Sequence, residues 1–592
     1  MPKNSPVNSS PDDLAVWDHK WGYADTKFVV NADKSVTLTG NRYSLCGYRM
    51  KQFIPYVESM LQVKLDLDDI KPEYGQPVVP ASSINEMFCA AIKNKFTEDQ
   101  YSFDDKVRLI HSHGQTSADE VYKVIYESIS RVVDMVYFCQ SEEDAQTIIS
   151  LAKEHDVCLV PYGGGTSVSN ALQLPANETR MIVSVDMLRM NKIEWIDKEN
   201  FRACVQAGIT GKKLEELLGE EGFMSGHEPD SIEFSTLGGW IATNASGMKK
   251  NRYGNIEQII QSLTMITTEG TLSQLDTTPR MSMGMQPQHL LLGNEGNIGL
   301  ITKAVIKIHK LPQVQKYGSI VFPDFESGVK FLYKLTHEGQ PPSSIRLVDN
   351  VQFRFGLALK PEPKFLASIL DKIKKFYLLK IKKFDPLKLA ATTLVMEGTA
   401  IEVSQQEKSA YSIAKQFGGI PGGSENGRRG YLLTYCIAYI RDFLAGFHVI
   451  GETFETSVPW DKIHDVCRAV TEMVAKKHQE FNLPAKSYIS YRITQTYHTG
   501  VCIYFMYGFY AKGISSPEKI FSKIEHELRQ TILNNGGSIS HHHGVGKLRM
   551  GFMKDILSPA SIEMLKNLKR ATDPNNIFGI QNNIFADQQS DA

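Results

Sequence analysis

The sequence predicts an α+β protein of two lobes, with an N-terminal extension before them and a C-terminal segment after them. Three observations predict it. A helix, a strand and a glycine loop follow one another into Pro161-Tyr162-Gly163-Gly164-Gly165-Thr166-Ser167-Val168. From Gly226 to Gly254 small residues are dense enough to wrap backbone closely around a flat ligand. Beyond Pro312 strands alternate with helices, the pattern of a second α+β lobe laid over the first.

The elements follow in order. Residues 1–13 are rich in Ser, Pro and Asn and read as disordered. Thr37 to Gly40 reads as a strand ending in a turn, and Pro55 to Asn94 as mostly helical, so residues 1–125 form a partly disordered, then largely helical extension. Residues 126–312 make the first lobe, 313–537 the second, and 538–592 a segment returning to the first. Ser141 caps a helix whose apolar face is Ala145, Ile148, Ile149 and Ala152. Asp156 to Val160 reads as a buried strand. In the loop after it, three glycines let backbone N–H groups turn toward one point, and Thr166 and Ser167 add hydroxyls. Such a nest suits a pyrophosphate. The spacing fits neither a Walker loop nor GxGxxG, so a plain glycine-rich turn would look the same. Further on, Leu263 to Thr267 and Thr271 to Leu275 read as a hairpin across Glu269-Gly270.

Composition narrows the function classes. The chain has 592 residues and a formal net charge of -1, which gives no reason to expect nucleic acid. Its eight cysteines are scattered without a CxxC pair, as buried thiols in a reducing compartment would be. Apolar windows such as Tyr431 to Ile440 are too short to span a bilayer, and no secretory signal peptide is read. Asp371 to Lys388 interleaves lysines with Phe376, Leu378, Ile381 and Phe384. It reads either as a solvated helix face or as a patch resting on an anionic membrane.

Five segments resemble the FAD-binding segments of the vanillyl-alcohol-oxidase type: Pro161 to Val168, Pro229 to Thr236, Gly238-Gly239-Trp240, Ala245 to Asn251 and Glu295 to Ile301. Four others more narrowly resemble the alkyl-dihydroxyacetone-phosphate synthases, flavoenzymes of ether-lipid synthesis. These are Ser344 to Asn350, Arg429 to Tyr435, Arg492 to Tyr497, and Ser540 to Lys547. The resemblance implies the two-lobed fold of that flavoenzyme type and cofactor contacts from four groups of residues. The first is Tyr162, Gly163, Gly164, Gly165, Thr166, Ser167 and Val168; the second is Asp230, Ser231, Ile232, Glu233, Phe234, Ser235 and Thr236. The third is Thr243, Asn244, Ala245 and Ser246; the fourth is Glu295, Gly296, Asn297, Ile298, Gly299, Leu300 and Ile301. No histidine stands in the glycine loop, so FAD is expected to bind non-covalently.

The activity implied is exchange of the acyl chain of acyl-dihydroxyacetone phosphate for a long-chain fatty alcohol, with flavin N5 as a non-redox covalent catalyst. The resemblance further implies a homodimer in the peroxisome, and the second reading of Asp371 to Lys388 would add peripheral membrane contact. The chain ends Gln589-Ser590-Asp591-Ala592, which is unlike the Ser-Lys-Leu address.

That chemistry asks for particular side chains. A substrate phosphate needs a fixed cation, and the arginine fork suits it; the candidates are Arg346 and Arg441, the latter placed by the resemblance at the substrate. The alternative for each is a structural ion pair, to Asp349 or Asp442. Tyr504 lies in the alternating run Val501 to Phe505, and the resemblance makes it the proton donor or acceptor; otherwise it is a core tyrosine. If ionised, it would draw on a nearby positive charge such as Arg441 or a histidine. His541, His542 and His543 suit proton shuttling or phosphate contact, though consecutive residues of an extended segment face opposite ways and do not easily share one site. No ligand spacing for a metal accompanies them. His227 matches a family histidine expected near the flavin; the alternative is a histidine satisfied within a turn. An FAD-dependent 2-hydroxy-acid dehydrogenase on the same fold, marked by metal-binding histidines and acids in the second lobe, is the competing activity. A membrane-docked flavoprotein scaffold without turnover is the non-enzymatic one.

Overall fold

The structure is a computed structural model that describes residues 21–70, 77–274, 278–361, 376 and 380–586. The disordered reading of residues 1–13 and residues 371–375 and 377–379 of the lysine-rich stretch fall outside these.

The glycine loop leaves a four-stranded sheet of β1 (Tyr101–Ser102), β2 (Met135–Phe138), β3 (Cys158–Tyr162) and β4 (Ile182–Asp186), in spatial order β1-β2-β4-β3. Strands β2, β4 and β3 run parallel. Such strands are covered on both faces, which explains their unbroken apolar sequence. Helix α1 (Glu142–His155) begins where Ser141 Oγ accepts the Asp144 N–H at 3.0 Å. It buries Ala145, Ile148, Ile149 and Ala152, the face read from the sequence.

A second sheet holds β5 (Ile193–Asp197), β6 (Arg202–Gln206), β7 (Ile260–Thr267), β8 (Gly270–Ser273) and β9 (Leu300–Lys307), in order β8-β7-β9-β6-β5. Its pairs are antiparallel, and β7 and β8 turn at Thr268-Glu269. Helix α2 (Leu237–Thr243) carries Trp240 and Ile241 into the core over this sheet.

The second lobe is built on seven strands: β10 (Val314–Phe322), β11 (Ser344–Val348), β12 (Ala390–Gly398), β13 (Ile420–Pro421), β14 (Val449–Pro459), β15 (Tyr488–Tyr497) and β16 (Gly500–Tyr510). The spatial order is β13-β10-β12-β11-β15-β16-β14. Helices such as Phe325–Glu338 and Ala400–Gln416 cover it. Register decides which side chains share a face. Glu455 on β14 opposes Tyr504 on β16, Tyr504 opposes Arg492 on β15, and Arg492 opposes Val348 on β11. With a period of two, Arg346 stands on the same face as Val348. Four functional side chains thus line up across four strands.

The N-terminal extension departs from the helical reading. It contains an antiparallel sheet of Phe28–Val30, Val36–Leu38 and Arg49–Met50 before helices Phe53–Leu61 and Glu86–Lys95. Strands of two or three residues are too short to show a period. Trp21, Phe28 and Phe53 pack against Tyr439, Ile440 and Phe443 of helix Ile437–Ala445, which anchors the extension to the second lobe. Among the described residues no helix is long and apolar enough to cross a membrane.

Candidate active site

Two walls face each other across a cavity of about 410 Å³. The first is backbone and small residues. Tyr162 to Val168 line it, with Asp230, Ser231, Ser235 and Thr236 beside them. Thr243, Ala245, Ser246, Glu295, Gly296, Gly299, Leu300 and Ile301 complete it. A β-carbon on Gly164 would collide with the Phe234 carbonyl, and Gly165 has φ +66°, so the loop adopts a path that side chains would block. These closely packed turns, with the Thr166 and Ser167 hydroxyls, fit a flat cofactor carrying a diphosphate.

Six of the expected cofactor residues stand behind this wall instead. Ile232 packs near Gly211, and Phe234 lies between the rings of Trp21 and Tyr23, at 5.0 and 4.9 Å. Glu233 accepts the Tyr43 hydroxyl at 2.6 Å. Asn244 ends α2 in a left-handed turn, φ 54°. Asn297 accepts the Asn582 N–H at 3.0 Å, and Ile298 lies in the core under the second sheet. The physical reason is that a segment touching a ligand through backbone directs many of its side chains away from it. Glu295 also ties in the C-terminal segment, because its carboxylate accepts the N–H groups of Val545 and Gly546.

The second wall is made of charged and aromatic side chains. Tyr504 lies on the shared sheet face, and its hydroxyl is 2.7 Å from His542 Nε2 and 2.8 Å from His543 Nε2. His541 turns the other way: its Nε2 is 2.6 Å from the Tyr497 hydroxyl, and its Nδ1 is 2.7 Å from His542 Nδ1. The three imidazoles therefore form one chain even though they do not all point at one atom. Glu455 makes this possible. Its buried carboxylate accepts the backbone N–H of His541, His542 and His543 and the Ser540 hydroxyl, folding the loop around itself. The extended geometry that would separate neighbouring side chains is thereby lost.

The electrostatics follow from burial. Burial and then the charge of His542 lower the His541 pKa to about 3. Burial also pushes His542 down and His543 well down, so all three imidazoles are neutral near pH 7. Burial would raise the Glu455 carboxyl, but opposite charge facing it, that of Arg549 included, holds the group well below its ordinary range. Burial first, and then the Asp230 carboxylate, push the Tyr504 phenol well above its ordinary value, against the pull of Arg492. Tyr504 is accordingly a protonated phenol at neutral pH.

The arginines differ in how they are engaged. Arg346 donates to Asp230 Oδ1 at 3.1 Å and to Thr434 Oγ1, while its buried Nε has no partner among the described residues. Asp349, the ion-pair partner considered from sequence, instead caps helix Asn350–Ala358. Arg441 donates to Asp442 and, at 2.7 Å, to the Gln115 carbonyl, and it lines the cavity. The cavity also has an apolar lining from Tyr56, Val57, Met60 and Leu61 of the N-terminal extension and from Ile440 and Leu444. His227 does not line the cavity. It is buried against Trp240, ring centroids 4.7 Å apart, with neither ring nitrogen hydrogen-bonded among the described residues. Burial and then His542 lower its pKa to about 3.

Sequence reasoning missed Arg492, Glu455 and Tyr497. Arg492 lies inside a motif quoted above, and its alternation with Ser490 and Tyr488 places it on one strand face; nothing local shows that the face borders a cavity. The available signal for Glu455 was a carboxylate inside an otherwise uncharged run, Thr453 to Pro459, of a strand that also carries Glu452. Among the described residues one group, Cys502, His541 and His542, brings three metal-capable side chains together. It lacks the acids that the dehydrogenase reading requires, and both imidazoles are already hydrogen-bonded.

Comparison with known proteins agrees with this architecture. Residues 133–276 match the family described as FAD binding domain, and residues 311–579 match FAD linked oxidases, C-terminal domain. The chain is 40% identical to an alkyldihydroxyacetonephosphate synthase of Caenorhabditis elegans, over 96% of this chain and 95% of that protein. It is 30% identical to the synthase of Trypanosoma brucei brucei, over 94% and 91%. A solved structure of an alkyldihydroxyacetonephosphate synthase superposes with a TM-score of 0.82 at 27% identity, covering 97% of this chain and 99% of that one.

Proposed function

The chain belongs to the alkyldihydroxyacetonephosphate synthase family, and from that premise we propose how its own residues carry the reaction. The reaction exchanges the acyl chain of acyl-dihydroxyacetone phosphate for a long-chain fatty alcohol, forming the ether bond of ether lipids and releasing a fatty acid. FAD is the cofactor, and when bound it supplies a non-redox covalent catalyst at N5. The competing dehydrogenase reading is not favoured.

One observation carries the assignment of roles: a protonated Tyr504 hydroxyl held between two neutral imidazoles at the cavity wall. A phenol has one proton, so it donates to one imidazole and accepts from the other. Two complementary arrangements satisfy the whole chain Tyr497–His541–His542–Tyr504–His543. In one, protons point from Tyr497 toward His543; in the other they point back. A proton that the Tyr504 oxygen gives to the substrate is replaced by the one a neighbouring imidazole donates to it, and the proton the substrate gives up in the complementary step returns along the same path, so the exchange leaves the chain with the protons it started with. Tyr504 is thus the acid–base group, and the three histidines are its proton relay. His227 stands behind Trp240 and acts as a positioning residue for the wall.

Arg441 holds the substrate phosphate, and Arg346, tied to Asp230, stabilises charge at the reacting carbons. The apolar end of the cavity takes the long chains. Tyr162 to Val168, with Ser231, Ser235 and Thr236 beside them, hold the cofactor diphosphate, non-covalently. We also propose the lobe boundaries near residues 126, 313 and 538. Family membership supports a peroxisomal homodimer. Peripheral membrane contact is supported by Phe376, Ile381 and Leu387, which are exposed in the lysine-rich stretch.

The test is anaerobic incubation of the purified holoprotein with acyl-dihydroxyacetone phosphate and labelled fatty alcohol, without an electron acceptor. Labelled ether product and fatty acid should form one for one. A reaction that waits for an acceptor would sink this reading.

A further inference from the structure

Arg346 and Arg441 each have a carboxylate partner, but Arg492 has none. Its guanidinium makes no hydrogen bond among the described residues; its neighbour is the Tyr504 ring, 4.4 Å from the guanidinium carbon. The residue is 8% exposed and lines the cavity. Arg346 faces it as a like charge and Asp230 as an opposite one, and burial lowers its pKa. A buried guanidinium without hydrogen-bond acceptors is costly unless an anion completes it.

The register shows what shape of anion. From the Arg492–Tyr504 pair, the same strand face runs to Ser490 and Met506, then to Tyr488 opposite Gly508, which itself opposes Gly451. Tyr488, Met506, Gly508 and Gly451 all line the cavity. The two facing glycines leave the far end of that lane open on the β14 and β16 side, beyond Met506, and four strand residues span about 13 Å. A cation therefore stands at the head of a narrow, weakly polar lane. A planar fork at that place matches a singly charged, planar carboxylate with a chain behind it.

We propose that Arg492 binds the carboxylate of the departing fatty acid, its chain lying along the lane toward Gly451 and Gly508. The inference rests on the exchange reaction proposed above. There the bond between the glycerone carbon and the acyloxy oxygen breaks, and the electron pair leaves with that oxygen. The fork meets the charge where it appears, beside the hydroxyl that moves the proton.

The test is calorimetric binding of palmitate, hexadecanol and dihydroxyacetone phosphate to the wild-type holoprotein and to Arg492→Gln. The variant should bind palmitate at least tenfold more weakly, with hexadecanol and dihydroxyacetone phosphate changed less than twofold. Arg492→Lys, which keeps the charge and loses the fork, should fall between the two and serves if the Gln variant does not fold. Unchanged palmitate binding overturns the proposal. So does an equal loss for hexadecanol, which would mean a structural role, or a selective loss of dihydroxyacetone phosphate, which would make Arg492 a phosphate residue. Because binding needs no turnover, failure of the exchange reaction in the wild type would be seen separately from each of these outcomes.

Discussion

The two walls of the cavity are made by opposite means. The flavin-side wall comes from short contiguous segments, and it works through backbone N–H groups, hydroxyls and the absence of side chains. The wall of the second lobe comes from strands β11, β14, β15 and β16 and a loop near the C-terminus, and it works through arginines, a phenol and imidazoles. A backbone site fails when anything is added. A side-chain site fails when one atom is removed, while the fold survives.

The sharpest way to break that comparison is Gly164→Asp. The new side chain would meet the Phe234 carbonyl, which is backbone and cannot move aside. Flavin occupancy, read as absorbance per protein after purification, should be lost, and activity with it. A yellow, fully occupied variant would mean that the first wall tolerates side chains after all.

Tyr504→Phe removes one oxygen from the opposite wall. Flavin content and thermal stability should stay near wild type, while ether formation falls roughly 10²-fold or more, the scale of a lost acid–base group. Single-turnover rates with labelled alcohol measure it. Turnover within a factor of two of wild type would remove Tyr504 from the chemistry and leave the imidazoles without their centre.

The smallest effect sharpens the comparison at the seam, where His227 supports Trp240 behind the wall. Its folded pKa is about 3, and an unfolded histidine titrates near ~6.5. Between these values the unfolded chain binds one proton more, so this residue costs stability as pH falls and contributes nothing to the pH dependence above ~7.5. From pH 7 to pH 5 the wild type should lose about 2 kcal/mol more than His227→Phe, at one proton's worth per pH unit. Urea unfolding of both proteins at the two pH values gives the difference. Equal losses would show that His227 titrates in the fold as it does in the unfolded chain.

The sequence by itself determined whatever depends on neighbours along the chain. Helix α1, its Ser141 cap and its apolar face were legible because capping and amphipathicity act over a single turn. The glycine loop was legible because only glycine accepts such backbone. Motifs carried the resemblance, and with it Tyr504, Arg346, Arg441 and the three histidines as candidates. What the motifs could not give was who touches whom. The expectation that Arg441 or a histidine would supply positive charge to Tyr504 missed Arg492, which reaches the phenol only because β15 and β16 pair in one register. The convergence of His542 and His543 required Glu455, a residue of β14 far earlier in the chain, to accept their N–H groups. A one-residue slip in either pairing would turn these side chains to the other face of the sheet. Strand register is a property of the assembled sheet, and for that reason the chemistry of the second wall was decided by tertiary structure.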